Sequence, residues 1–161
     1  MNEIKILRIK KKHLKIKKFL NKIKEKNFLI NKSFNNTPWI HLKNRNFVFY
    51  KVEKNYQIIA IVVIIKLKIN THLQFFYVSK KNRSQGLGKK ILKKVLPKKK
   101  FTTVHVPKKL SIRTEKFYKN NKFKLSKLNE KNKLINYWIK RCEKYDSKTF
   151  FEKKLLYRNL K

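Results

Sequence analysis

The chain holds two glycines, Gly86 and Gly88, two residues apart. They follow an apolar segment and open an amphipathic one, so they mark a strand-to-helix turn. Glycine permits positive φ and close approach of the backbone to a ligand. The first amides of a helix have no internal acceptor, and the positive end of the helix dipole lies there. Strand, Gly-x-Gly and helix in that order form a natural phosphate cradle; the same residues also suit a plain tight turn. Two familiar phosphate motifs do not fit. A Walker loop needs a glycine where Arg83 stands, and a dinucleotide fingerprint needs a small residue at Ile91 and an acid roughly twenty residues on, where the chain is lysine-rich.

A third pattern does fit. Val78-Ser79-Lys80-Lys81-Asn82-Arg83-Ser84-Gln85-Gly86-Leu87-Gly88 resembles the acyl-CoA signature of the GNAT superfamily of N-acyltransferases, Val-x-Pro-x-x-[Gln/Arg]-x-x-Gly-x-[Gly/Ala]. Lys80 replaces the usual proline. Further on, Phe117-Tyr118-Lys119-Asn120-Asn121-Lys122-Phe123 is similar to the family's Phe-Tyr-x-x-x-Gly-Phe element, with Lys122 where glycine is usual. Ser111 and Thr114 stand where asparagine and alanine are usual. The resemblance implies a mixed, mostly antiparallel central sheet with helices on both faces, an α/β (α+β) fold.

It also implies roles. Acetyl-CoA is the acyl donor, held by Val78, Arg83, Ser84, Gln85, Gly86, Leu87, Gly88 and Lys89, with the loop amides on its pyrophosphate. A main-chain N–H near Val78 polarises the thioester carbonyl. Lys80, Lys81, Lys89 and Lys90 are placed to reach its phosphates. Acyl transfer needs a neutral amine to attack and a protonated thiol to leave. Tyr118 matches the family's general acid. Many relatives carry a glutamate base on the strand before the signature; here Thr71 to Val78 contains no acid, and His72 and His105 are the candidate bases, acting through a water. A strong positive field also lowers the pKa of a substrate amine, so a base is not obligatory. No metal is implied.

The elements that must position these groups follow from hydrophobic period. Ile4 to Ile9 reads as a strand. Lys11 to Lys26 reads as a helix, with Ile16, Phe19, Leu20 and Ile23 on one stripe. Asn31 to Asn46 is a loop. Phe47 to Val52 and Tyr56 to Leu67 form a hairpin about a Glu53-Lys54-Asn55 turn. His72 to Ser79 is a strand, Gly88 to Leu96 a helix, Phe101 to Val106 a strand and Ser111 to Asn121 a helix. Phe123 to Leu128 and Leu134 to Lys140 form a last hairpin, and Phe150 to Leu160 reads as a helix. The expectation is one domain over residues 1–141 with a C-terminal helical extension over 142–161.

Composition bounds the partners. Among 161 residues, Lys and Arg number 46 and Asp and Glu 8, a formal net charge of +38; 41% of the chain is hydrophobic and 13% aromatic. That apolar content excludes a plain disordered basic arm. A single cysteine excludes an internal disulfide and a cysteine-based zinc site. The longest apolar run, Ile58 to Ile65, is short of the roughly 20 residues of a membrane helix, and no secretory signal is expected.

The charge has two readings. One is a polyanionic partner such as tRNA, rRNA or DNA, engaged through Lys15, Lys18, Lys22, Lys98, Lys99 and Lys100. The other is codon drift in an A/T-rich genome, since Arg occurs six times against forty Lys. A lysine-rich acceptor peptide would be repelled and an amine carried by a polyanion attracted. Trp39, Tyr50 and Tyr56 can stack on bases if exposed. The leading expectation is an acetyl-CoA-dependent N-acetyltransferase acting on, or docked to, nucleic acid or a nucleoprotein, in the cytoplasm or in the matrix or stroma of an organelle with an A/T-rich genome. The alternatives are a catalytically weak or inactive, basic component of a nucleoprotein particle, a phage-type nucleobase-modifying enzyme, and an acetyltransferase of an ordinary small amine or a protein N-terminus.

Overall fold

A computed structural model describes residues 3–9, 16, 18, 19, 46–66, 70–98, 101–107, 112–125 and 153–158. They fall into two compact units, Met1–Lys66 with Phe75–Val95, and Leu67–Gln74 with Leu96–Lys161.

In the first unit the strands β1 (Ile4–Ile9), β2 (Phe47–Lys54) and β3 (Gln57–Lys66) pair antiparallel in that order. Strand β4 (Asn70–Val78) follows β3 in the sheet, and Phe75 to Val78 belong to this unit. β3 is buried without interruption from Ile59 to Ile65, the pattern of a strand covered on both faces. Ile61 and Val63 pack with Ile9, Ile16, Phe49, Phe75 and Tyr77; Ala60, Val62 and Ile64 are sealed as well. Ile16, Lys18 and Phe19 are helical, as the expected first helix requires; its other residues lie outside those described.

The β2–β3 turn differs from expectation by two residues. Lys54 pairs with Gln57, so the loop is Asn55-Tyr56. Both have positive φ, 50° and 60°, the two-residue turn whose twist matches its strands. Asparagine suits that backbone. Tyrosine costs about 1–2 kcal/mol there relative to glycine. A bulge between Val52 and Glu53 shifts the register by one residue, so that Lys54 meets Gln57 and the loop holds two residues.

Helix α1 (Leu87–Val95) buries Leu87, Ile91, Leu92 and Val95 and exposes Lys89, Lys90, Lys93 and Lys94, as its 3.6-residue period predicts.

In the second unit β4 pairs parallel with β5 (Phe101–Pro107) from Asn70↔Phe101 to Leu73↔Val104. Strand β7 (Lys153–Arg158) pairs antiparallel with β5 over six positions and with β6 (Lys124–Leu125) over two. The helix expected over Phe150 to Leu160 is therefore corrected to a strand over 153–158. A six-residue Lys-Lys-Leu-Leu-Tyr-Arg run has no decisive period, and the open edges of β5 and β6 supply backbone partners on both sides. Residues 134–140, expected to pair with the strand begun at Phe123, lie outside those described. Helix α2 (Ile112–Asn120) precedes β6. The fold is mixed and mostly antiparallel, with helices, as the sequence indicates.

Candidate functional site

The loop after β4 is built from its own hydrogen bonds. Ser79 N donates to Ile59 O at 2.8 Å, extending the β3–β4 ladder by one residue. Lys80–Asn82 then form a single 3₁₀ turn. Asn82 N donates to Ser79 O at 2.9 Å, and its Nδ2 donates to Ser79 Oγ at 2.7 Å. Arg83 turns back on the strand: Nε donates to Val78 O at 2.8 Å, and the guanidinium carbon lies 5.3 Å from the centre of the Tyr77 ring. Arg83 thus braces the loop with the group that sequence reasoning sent toward the coenzyme.

Ser84 and Gly86 both have left-handed φ, 68° and 69°. A side chain added at Gly86 would meet nothing within 4 Å, so glycine is required there by the backbone and not by crowding. Open space in front of a left-handed glycine is what a cradle for an external group requires. Lys90 N donates to Gly86 O at 3.1 Å, the first bond of α1. The amides of Leu87, Gly88 and Lys89 therefore precede any intrahelical acceptor. The first turn carries no acid to compete for them. Ser84, Gln85, Gly86 and Lys89 are exposed, Arg83, Gly88 and Val78 half-buried, and Leu87 buried. All eight residues expected to hold acetyl-CoA lie together in the first unit, and the positive end of α1 with its free amides fits a pyrophosphate.

Tyr118, His72 and His105 lie in the second unit. Tyr118 is buried on α2, in edge-to-face contact with Phe117 and Phe123 at ring-centre distances of 5.3 and 5.4 Å. The helix C-terminus fixes it. Phe123 N donates to Tyr118 O at 3.0 Å and Lys122 N to Lys119 O at 2.9 Å, the two bonds of a Schellman cap. Lys122, at φ 65°, occupies the left-handed position of that cap. The structural demand behind the family's glycine is thus still present, and lysine meets it at a conformational cost. Burial pushes the Tyr118 hydroxyl pKa well above its ordinary value, so it stays protonated.

His72 is 1% exposed, with Nδ1 2.8 Å from Thr103 Oγ1, its neighbour in the β4–β5 register. The imidazole is held on the sheet by that bond. His105 pairs with Leu155 in the β5–β7 ladder. Beside His72, Thr71, Thr102 and Thr103 are also buried, and Thr71 Oγ1 has no hydrogen-bond partner among the described residues. The described carboxylates offer no alternative base: Glu3, Glu53 and Glu115 each pair with a lysine, Lys5, Lys51 and Lys119. No group of three or more His, Cys, Asp or Glu suited to a metal occurs among the described residues. Lys18 and Lys98 are exposed; Lys15, Lys22, Lys99 and Lys100 lie outside those described.

Residues 45–125, running from β2 to β6 and including both the loop and Tyr118, match a family model described as an acetyltransferase (GNAT) domain. The chain belongs to the GNAT acetyltransferase family. No curated protein matches it. The GNAT fold recurs in solved structures of low identity. A GNAT-family acetyltransferase from Desulfovibrio desulfuricans superposes with a TM-score of 0.70 at 10% identity, covering 99% of this chain and 100% of that one. The ribosomal-protein-S18-alanine N-acetyltransferase of Escherichia coli gives 0.63 at 10% identity over 99% and 94%. A GNAT acetyltransferase from Elizabethkingia anophelis, solved with acetyl-CoA bound, gives 0.53 at 17% identity over 71% and 77%. As a GNAT enzyme the chain is an N-acetyltransferase, and acetyl-CoA is the donor the family uses.

Lys54, Asn55, Gln57 and Ile59 carried no site expectation, and the structure brings them beside the loop. Lys54, Asn55, Gln57, Ile59, Lys81, Asn82 and Gln85 line a groove of about 320 Å³ in the first unit. The sequence signal for that side of the groove was the polar turn, which begins at Asn55 and not at Glu53.

Proposed function

We propose that this GNAT enzyme transfers an acetyl group from acetyl-CoA to an amine carried by, or docked beside, nucleic acid or a nucleoprotein. The observation that carries the donor half is Gly86: left-handed, open in front, and capping a helix whose first turn holds no acid. Val78, Arg83, Ser84, Gln85, Gly86, Leu87, Gly88 and Lys89 would hold the donor. When bound, acetyl-CoA supplies an activated acetyl thioester. Tyr118 Oη keeps its proton through the working pH range and is the candidate donor to the leaving sulfur. His72 and His105 are the candidate bases through water. The positive field of the chain favours a neutral amine and eases the demand on either.

The charge supports the acceptor half. The formal net charge is +38, and the described carboxylates Glu3, Glu53 and Glu115 each already pair with a lysine, so a polyanion would be drawn to the chain. The compartment that fits is the cytoplasm, or the matrix or stroma of an organelle with an A/T-rich genome.

A second reading, a basic component of a nucleoprotein particle with little activity, is favoured by the burial of both Tyr118 and His72. Calorimetry with acetyl-CoA, with and without tRNA or duplex DNA, separates the readings. We expect saturable acetyl-CoA binding that Gly86→Val abolishes in a folded protein. Polyanion binding with no acetyl-CoA binding would overturn the enzyme reading.

A further inference from the structure

Tyr56 is 93% exposed at a hairpin tip, in a left-handed conformation that tyrosine adopts at a cost. The ring contributes nothing to the core. On either side of it in sequence, Lys54, Asn55 and Gln57 form one wall of the groove; Lys81, Asn82 and Gln85 form the other. The walls are tied together, because Ser79 N, at the root of the second wall, donates to the carbonyl of Ile59, also in the lining. No acid lines the groove, and the nearest in sequence, Glu53, is held by Lys51 at 2.7 Å. At about 320 Å³ the groove lies at the small end of ligand sites. An outward aromatic ring beside two cations and three exposed amide side chains, Asn55, Gln57 and Gln85, is a combination that binds unpaired nucleotides: a base stacks on the ring, phosphates meet the cations, and amides meet polar edges.

We propose that the β2–β3 tip and the Lys80–Asn82 turn form a docking site for single-stranded nucleic acid, with Tyr56 stacked on a base and Lys54 and Lys81 on adjacent phosphates. This rests on the nucleic-acid docking proposed above and gives it a location. Gln85 belongs both to this groove and to the loop before α1, so a docked strand lies next to the donor site within one unit.

The test uses the full chain and a fluorescent single-stranded RNA 12-mer, followed by anisotropy across a salt series, with acetyl-CoA calorimetry in parallel. Tyr56→Ala is expected to weaken 12-mer binding about tenfold, and Tyr56→Phe to preserve it. Tyr56→Gly should melt higher than the parent, because glycine relieves the backbone, and still bind weakly; loss of binding is then separated from loss of fold. Lys54→Gln should reduce the log–log salt slope by roughly 0.7, the worth of one single-strand phosphate. Acetyl-CoA affinity should be unchanged in all of them.

Equal 12-mer binding by Tyr56→Ala overturns this site while leaving the docking reading intact. A parent chain that binds acetyl-CoA but no oligonucleotide overturns both. Parallel loss of acetyl-CoA and 12-mer binding in the lysine variant would assign the groove to the coenzyme and overturn the proposal.

Discussion

Arg83 and Val78 are joined across the loop by a 2.8 Å hydrogen bond from Nε to the carbonyl oxygen. The signature arginine thereby holds the end of β4 and the start of the loop in one geometry, with the Tyr77 ring as its platform. A planar guanidinium can donate and stack at once; an ammonium cannot. Arg83→Lys should therefore weaken acetyl-CoA binding roughly tenfold, close to the worth of one hydrogen bond to a charged group. Calorimetry on a folded variant checks it, and unchanged affinity would remove the bracing role.

Tyr118→Phe keeps both aromatic contacts and removes one hydroxyl. If that hydroxyl protonates the leaving thiolate, kcat should fall by roughly 10²- to 10⁴-fold with little change in acetyl-CoA affinity. The raised pKa gives an independent signature. A folded-state pKa above the unfolded value means that the native protein holds its proton while the unfolded chain releases it. Stability is thus lost as pH rises above about 10, the ordinary tyrosine value. Chemical denaturation between pH 9 and 11 should show a steeper decline for the parent than for Tyr118→Phe.

Lys122 occupies a cap position that glycine fills without strain. Lys122→Gly should stabilise the protein by about 1 kcal/mol, a rise of roughly 2–4 °C in Tm for a chain of this size. A fall in Tm would mean that the lysine side chain contributes more than its backbone costs.

Two buried threonines on paired strands should respond in opposite directions. Thr71 Oγ1 lacks a partner among the described residues, so Thr71→Val removes an unsatisfied hydroxyl and should be stabilising by about 1 kcal/mol. Thr103 Oγ1 lies 2.8 Å from His72 Nδ1, so Thr103→Val strands a buried ring nitrogen and should cost about 1–3 kcal/mol. Urea denaturation of the two variants reads the contrast directly.

Lys18 and Lys98 are exposed in different units. If the chain docks on a phosphate backbone at defined lysines, replacing one that meets it should flatten the salt slope by about 0.9 per lost duplex contact, and replacing an exposed lysine away from it should not. Equal, small effects from Lys18→Gln and Lys98→Gln would mean that the charge acts only as a diffuse field.

Much of this protein was legible in one dimension, because local periodicity and covalent freedom act over a few residues. The unbroken apolar run from Ile58 to Ile65 indicated a strand. The stripe of Ile91, Leu92, Val95 and Leu96 indicated a helix with lysines outside. Two glycines in a glycine-poor chain marked the loop where backbone approach matters. Three things needed the folded chain. Residues 153–158 became a strand because β5 and β6 offered hydrogen bonds on both of its edges, a partnership between segments far apart in sequence. The hairpin turn lies at Asn55-Tyr56, where a one-residue register shift beside Val52 leaves a two-residue loop. Tyr118 acquired its raised pKa from burial: the motif names the residue, but desolvation is a property of what surrounds it.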